Sequence, residues 1–186
     1  MIRPPTDQKG FVLWLTGLSG AGKSTIAEIL EGELRARGLR VERLDGDIVR
    51  ESLTADLGFS KEDRDKNIER VTFVAKLLSR NNVAVVCSFI SPYQETRDKI
   101  RMQTTNFLEV FIDASLDAVI ERDVKGLYKK AIAGDIPNFT GISDPYEAPT
   151  EPDMHIKTDD QTPLESANDI LASLEEIGFV PYPTVF

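Results

Sequence analysis

Phe11-Val12-Leu13-Trp14-Leu15-Thr16-Gly17-Leu18-Ser19-Gly20-Ala21-Gly22-Lys23-Ser24 is the stretch that decides the fold. Phe11 to Thr16 is an apolar run of the kind that a strand covered on both faces requires. Gly17 to Gly22 breaks it. A helical pattern then resumes over 24–37, with Ile26, Leu30 and Leu34 on one face and Gly38 as the stop. Strand, glycine-rich loop and helix in that order fit G-x-x-x-x-G-K-[ST]. In this motif backbone N–H groups and the positive end of a helix converge on one point and hold a polyphosphate. Side chains in the loop would fill the space the phosphates occupy, which is why glycines are needed. Lys23 can reach the β- and γ-phosphates and the Ser24 hydroxyl can bind Mg²⁺. The candidate ATP-binding residues are therefore Gly17, Leu18, Ser19, Gly20, Ala21, Gly22, Lys23 and Ser24, with Ser24 also a candidate metal ligand.

On either side of this unit, short apolar runs alternate with helical periodicity, the pattern of a parallel sheet covered by helices. Further strands are expected at 41–44, ending at Asp45, at 83–90 and at 107–112, with a last one possible at 155–158. Ser60 is placed to cap a helix with Glu62 and Asp63 in its first turn and Ile68, Val71, Ala75 and Leu78 as its buried stripe. Another helix is expected over about 115–122. Thr162, Pro163 and Glu165 form a capping box, with proline at the first helical position. Ala167, Ile170, Leu171 and Leu174 face inward in the helix that follows. The segment 125–152 has little apolar periodicity and carries Gly126, Gly134, Gly141, Pro137, Pro145, Pro149 and Pro152. Loops this long in a compact domain are usually binding loops or lids, so a mobile lid is expected here. The predicted fold is α/β: a three-layer parallel sheet with a P-loop, of the adenylate-kinase-like kinase type.

The chain has 186 residues, which suits one domain over 1–186. Its net charge of −9 disfavours nucleic-acid backbones and anionic membranes as partners. The expected substrates are small molecules. One histidine and one cysteine exclude zinc fingers and intrachain disulfides. No apolar run is long enough to span a membrane, and 1–10 lacks the apolar stretch of a secretion signal, so a cytoplasmic location is expected.

The second chemical signal is Asp45-Gly46-Asp47 at the carboxyl end of the second strand, the edge where open α/β sheets bind ligands. The two carboxylates could serve Mg²⁺ or accept a proton from an attacking hydroxyl, or Asp45 could simply cap a turn. The 83–90 strand ends in Cys87-Ser88 without the aspartate that often serves the metal in P-loop enzymes, which favours Asp45 or Asp47 near the ion. Arg50, Arg64, Lys125, Lys129 and Lys130 gather basic charge in an acidic chain, as an anionic substrate needs. Arg64 and Asn67 are three residues apart on a helix and share a face.

In order along the chain stand Leu44-Asp45-Gly46-Asp47-Ile48-Val49-Arg50, Gly58-Phe59-Ser60 with Arg64 and Asn67-Ile68, and Phe89-Ile90-Ser91-Pro92-Tyr93. Lys125-Gly126-Leu127-Tyr128-Lys129-Lys130-Ala131 and Asn138-Phe139-Thr140-Gly141-Ile142 follow. Together they resemble the adenylyl-sulfate kinase (APS kinase) family over about 10–174. The resemblance implies transfer of the ATP γ-phosphate to the 3′-hydroxyl of adenosine 5′-phosphosulfate (APS), with Mg²⁺, in a homodimer. It implies that Phe59 and Phe139 sandwich the acceptor adenine and that Arg50, Arg64 and Asn67 hold the phosphosulfate. Ile90 and Ser91 would line the substrate site, and Lys125 would close over the phosphates. Asp47 would align or deprotonate the hydroxyl and serve the metal, and Asp45 would support it. Arg122 and Asp123 would border the ATP adenine, as in related small P-loop kinases. The family pattern assigns Ser91 a phosphoserine intermediate. No histidine or other evident base stands beside it, so direct in-line transfer is the expected chemistry. Ile48, Glu51, Glu69 and Val124 depart from the family pattern. A related sugar or nucleotide kinase would lack the Phe59 and Phe139 pair, and a GTP switch would need an Asn-Lys-x-Asp reader that the chain does not contain.

Overall fold

The computed structural model describes residues 8–182, so 1–7, part of the stretch read for a secretion signal, lie outside it. Five strands form one parallel sheet: β1 (Phe11–Thr16), β2 (Val41–Asp45), β3 (Ala84–Ser88), β4 (Phe107–Asp113) and β5 (Met154–Lys157). Their spatial order is β2-β3-β1-β4-β5. β1 sits in the middle because its residues are buried throughout. Phe11, Leu13 and Leu15 face one side, against Ile26, Leu30 and Leu34 of α1 (Lys23–Ala36) and Ile170 and Leu174 of α7 (Pro163–Glu176). Val12 and Trp14 face the other, against Ile68, Val71 and Ala75 of α3 (Lys61–Ser79) and Ile100 of α4 (Gln94–Gln103). The alternation of strand side chains thus makes the three layers. Each such side chain contributes roughly 1.5–3 kcal/mol when fully buried, enough to hold the apolar β1 in the centre. β5 buries only Ile156 and lies at the edge.

Side-chain caps fix where the helices begin. Ser60 accepts a hydrogen bond from the Asp63 amide, Ser115 from that of Ala118 at α5 (Leu116–Arg122), and Thr162 forms the full capping box with Glu165. Such a cap is worth about 1 kcal/mol. Three helices were not expected from sequence. α2 (Gly46–Glu51) starts inside the Asp-Gly-Asp turn, with Asp45 as its cap. α6 (Leu127–Ile132) lies within 125–152, too short to display a period. α4 buries only Arg97 and Ile100, so no apolar stripe marks it. β3 is shorter than the apolar run because the chain leaves the sheet after Ser88.

The register brings the site together. Asp45 pairs with Ser88 across β2 and β3, and Leu15 pairs with Ser88 across β1 and β3. The carboxyl ends of the three strands therefore open into one crevice. Among the described residues, no helix is long and apolar enough to cross a membrane.

Candidate active site

A cavity of about 560 Å³ opens at these strand ends. Its floor is the glycine loop. Gly17 crosses β4 so closely that a Cβ there would stand 2.3 Å from the Ile112 carbonyl oxygen. Gly22, in left-handed conformation at φ 101°, caps α1 without any side chain bonded to the first-turn amides. Those amides are left to bind an anion. Lys23 is buried and its ammonium donates to the carbonyls of Gly17, at 3.0 Å, and Leu18, at 2.7 Å. Burial lowers its pKa to about 8, with nearby Lys125 adding to the effect and Asp45 and Asp47 opposing it.

The Ser24 hydroxyl donates to Asp45 Oδ2 at 2.7 Å, and the Ser88 hydroxyl donates to the same oxygen at 2.7 Å. Asp45 Oδ1 accepts from the Asp47 amide at 3.0 Å. Asp45 therefore caps α2, as the turn reading expects, and its other oxygen faces Ser24. Burial alone would push its carboxyl up, but the bonds from Ser88, Ser24 and the Asp47 amide, together with Arg43, hold it below the usual carboxylate range. It remains ionised, as a group near a cation must. Ser88 went unread in the sequence because its partner lies 43 residues away.

Asp47 projects into the cavity from α2, is largely exposed, and forms an ion pair with Lys125. Arg50 lies over the Phe59 ring, 4.3 Å from its centroid. Burial and the neighbouring Arg64 depress the Arg50 guanidinium, as expected where two cations face one space. Arg64 donates to the Asn138 carbonyl and the Thr140 hydroxyl, with Asp144 3.6 Å away. Asn67 is buried, and its side-chain oxygen accepts from the Thr54 hydroxyl at 2.8 Å. Phe59 is 61% exposed, whereas Phe139 packs edge-on against Tyr128 at 5.0 Å between centroids.

Ser19, Gly20, Gly22, Lys23, Ser24, Asp45, Asp47, Arg50, Phe59, Arg64, Asn67, Ile90, Ser91, Lys125 and Phe139 all line this one cavity. Gly17, Leu18 and Ala21 shape the loop without lining it. Arg122 does not line it and donates to the Thr158 carbonyl at 2.9 Å. The Asp123 carboxylate is taken up by the Tyr128 and Lys129 amides, which hold its pKa low and start α6. Ser91 is 3% exposed; it accepts from Trp14 Nε1 at 3.0 Å and donates to the Thr16 hydroxyl at 2.9 Å. No carboxylate or imidazole among the described residues bonds to it. The cavity also takes Pro92, Asn138 and Thr140, which the family motifs contain but to which no role was assigned, and Ile136, which no motif contains. Those in 136–140 could have been found from their position beside Phe139.

The family model for adenylylsulphate kinase matches residues 9–157, the span that builds the cavity. The chain belongs to the adenylylsulphate kinase family. It is 74% identical over 165 residues to a probable adenylyl-sulfate kinase of Pseudomonas aeruginosa, covering 89% of this chain and 77% of that protein. The structure of Mycobacterium tuberculosis APS kinase CysC in complex with AMPPNP and APS superposes with a TM-score of 0.86 at 42% identity, covering 90% of this chain and 99% of that one. A hexameric APS kinase from Thiobacillus denitrificans matches with a TM-score of 0.72 at 34% identity, over 98% of this chain and 32% of the longer one.

Proposed function

We propose that the chain transfers the γ-phosphoryl group of ATP to the 3′-hydroxyl of APS, giving ADP and 3′-phosphoadenosine 5′-phosphosulfate (PAPS), in sulfate activation. The observation that carries this reading is that one cavity joins the glycine loop to Arg50, Arg64, Phe59 and Phe139, with Asp47 between them. A triphosphate suits the first side. A purine nucleoside bearing two anionic groups, a phosphate and a sulfate, suits the second.

The loop amides and Lys23 would hold the β- and γ-phosphates. Asp47 would align the 3′-hydroxyl and take its proton as the new P–O bond forms and the bond to ADP breaks. Because such transition states are loose, positioning and charge neutralisation matter more than base strength. Arg50, Arg64 and Asn67 would hold the phosphosulfate, and Phe59 and Phe139 would stack on the adenine. Lys125, moving with 125–152 as a lid, would exchange its partner Asp47 for phosphate and help exclude water. Ser91, saturated by Trp14 and Thr16, fits a wall of the site better than a covalent nucleophile.

Ser24 and Asp45 present hard oxygens 2.7 Å apart at the loop, a donor set that fits Mg²⁺. No cluster of three or more Asp, Glu, His or Cys able to hold a metal occurs among the described residues, so phosphate and water would complete the shell. Bound there, the ion would neutralise charge on the phosphate oxygens. Asp47 is the second candidate ligand. A homodimer belongs to the same proposal, and the hexameric relative supports assembly of this kind of chain.

A coupled ADP-release assay tests the reading. APS should drive ADP formation, while adenosine 5′-phosphate, gluconate and shikimate at equal concentration should not. Preference for any of these over APS would overturn it.

A further inference from the structure

Arg97 on α4 is fully buried, although no reading of the site has used it. Its Nη1 donates to the Ser91 carbonyl at 2.7 Å, and its Nη2 donates to the Glu147 carbonyl at 2.6 Å and to Gln94 Oε1 at 2.7 Å. Its nearest counter-charge is Glu109 on β4, 2.8 Å away, yet Arg97 Nε and Glu109 Oε1 make no aligned hydrogen bond. The guanidinium fork is thus aimed at two backbone carbonyls rather than at its own ion-pair partner. One carbonyl belongs to the cavity wall after β3 and the other to the far root of 125–152.

Further bonds join the same two segments. The Glu147 amide donates to the Pro92 carbonyl at 2.9 Å, and the Gln94 amide donates to Glu147 Oε2 at 2.7 Å. The Tyr146 hydroxyl lies 3.0 Å from Thr16 Oγ1, which donates to the Ile90 carbonyl at 2.7 Å and accepts from Ser91. The Arg97 guanidinium lies over the Tyr146 ring. Burying a guanidinium is costly, and well-packed apolar residues could often fill such a space with no loss of stability. What an apolar residue could not supply is directed bonding to two carbonyls at once.

We propose that Arg97 is a positioning residue for the acceptor site. It locks the root of 125–152 at Tyr146 and Glu147 to the Ile90-Ser91-Pro92 wall, so that Phe139 and Thr140 come down over the acceptor in one place. This rests on the APS kinase reading and adds a residue that does not touch substrate.

The test uses Arg97→Met combined with Glu109→Gln, which removes both buried charges together, alongside Arg97→Lys and Tyr146→Phe. The Met/Gln pair should raise KM for APS about tenfold and leave KM for ATP within about twofold, since the lost bonds sit on the acceptor side alone. Lysine keeps the charge without the fork and should fail to restore KM. Tyr146→Phe should raise the same KM about threefold, and it decides the matter if the Arg97 variants do not fold. Equal changes in both KM values, rescue by lysine, or an unchanged KM for APS in Tyr146→Phe would overturn the positioning role. Wild-type protein that ignores APS would instead count against the kinase reading itself.

Discussion

The donor half of the cavity comes from one stretch of chain, and Lys23 is held by carbonyls five and six residues away. The acceptor half is assembled across long separations: Arg64 meets Asn138 and Thr140, 74 and 76 residues away, and Asp47 meets Lys125, 78 residues away. The first half is mostly backbone, clamped between a buried strand and a buried helix. The second is mostly side chains, held by contacts between distant segments, among them the exposed Asp47–Lys125 ion pair, a kind of contact worth at most about 1 kcal/mol. Phosphate binding is therefore built into the fold, whereas acceptor binding depends on side chains that a ligand can rearrange. Changes on the donor side should abolish turnover. Changes on the acceptor side should move affinity for APS and spare ATP, except at Asp47, which stands between the halves and should act on turnover.

The largest effect is expected for Lys23→Met, which removes the buried cation from the phosphate site: kcat/KM should fall about 10³-fold, as read from initial ADP rates. Asp47→Asn should follow, with kcat down about 10²-fold and ATP affinity unchanged by titration calorimetry. Full turnover in that variant would remove Asp47 from its role. Phe139→Ala should raise KM for APS roughly 10- to 100-fold, the value of about 1–3 kcal/mol per stacked base, with KM for ATP unaltered. An equal loss toward ATP would erase the distinction between the halves.

The smallest effect separates affinity from stability. The folded Lys23 amine titrates near pH 8, below its ordinary 10.5, so above pH 8 the free enzyme loses the charge that captures phosphate. kcat/KM for ATP should fall as pH rises from 8 to 9. Over about pH 8 to 10.5 the unfolded chain binds more protons at this lysine than the folded one, so the contribution of Lys23 to stability rises with pH. Thermal unfolding of wild type and Lys23→Met across that window measures the difference.

β1, β3 and the glycine loop were legible because burial on both faces of those strands leaves an unbroken apolar run, and the helix starts because caps are local. The capping box at Thr162 and Glu165 appears in the structure as written. α4 was not legible, since its buried face is an arginine and one isoleucine, and no hydrophobic period can show a helix that packs through hydrogen bonds. The family resemblance supplied the acceptor residues, and the cavity gathers them, but the Ser88 bond to Asp45 and the Arg97 fork depend on register and on contacts across strands. Arg122 and Asp123, placed beside the ATP adenine by the resemblance, show the limit: their bonds to the Thr158 carbonyl and to the Tyr128 and Lys129 amides could not be read from the sequence.

The most direct measurement is a structure of this chain holding a non-hydrolysable ATP analogue and APS together. The account predicts the acceptor adenine between the Phe59 and Phe139 rings, its 3′-oxygen within hydrogen-bonding distance of Asp47, and the triphosphate on the glycine loop. An acceptor bound away from those rings, or a 3′-oxygen out of reach of Asp47, would contradict it.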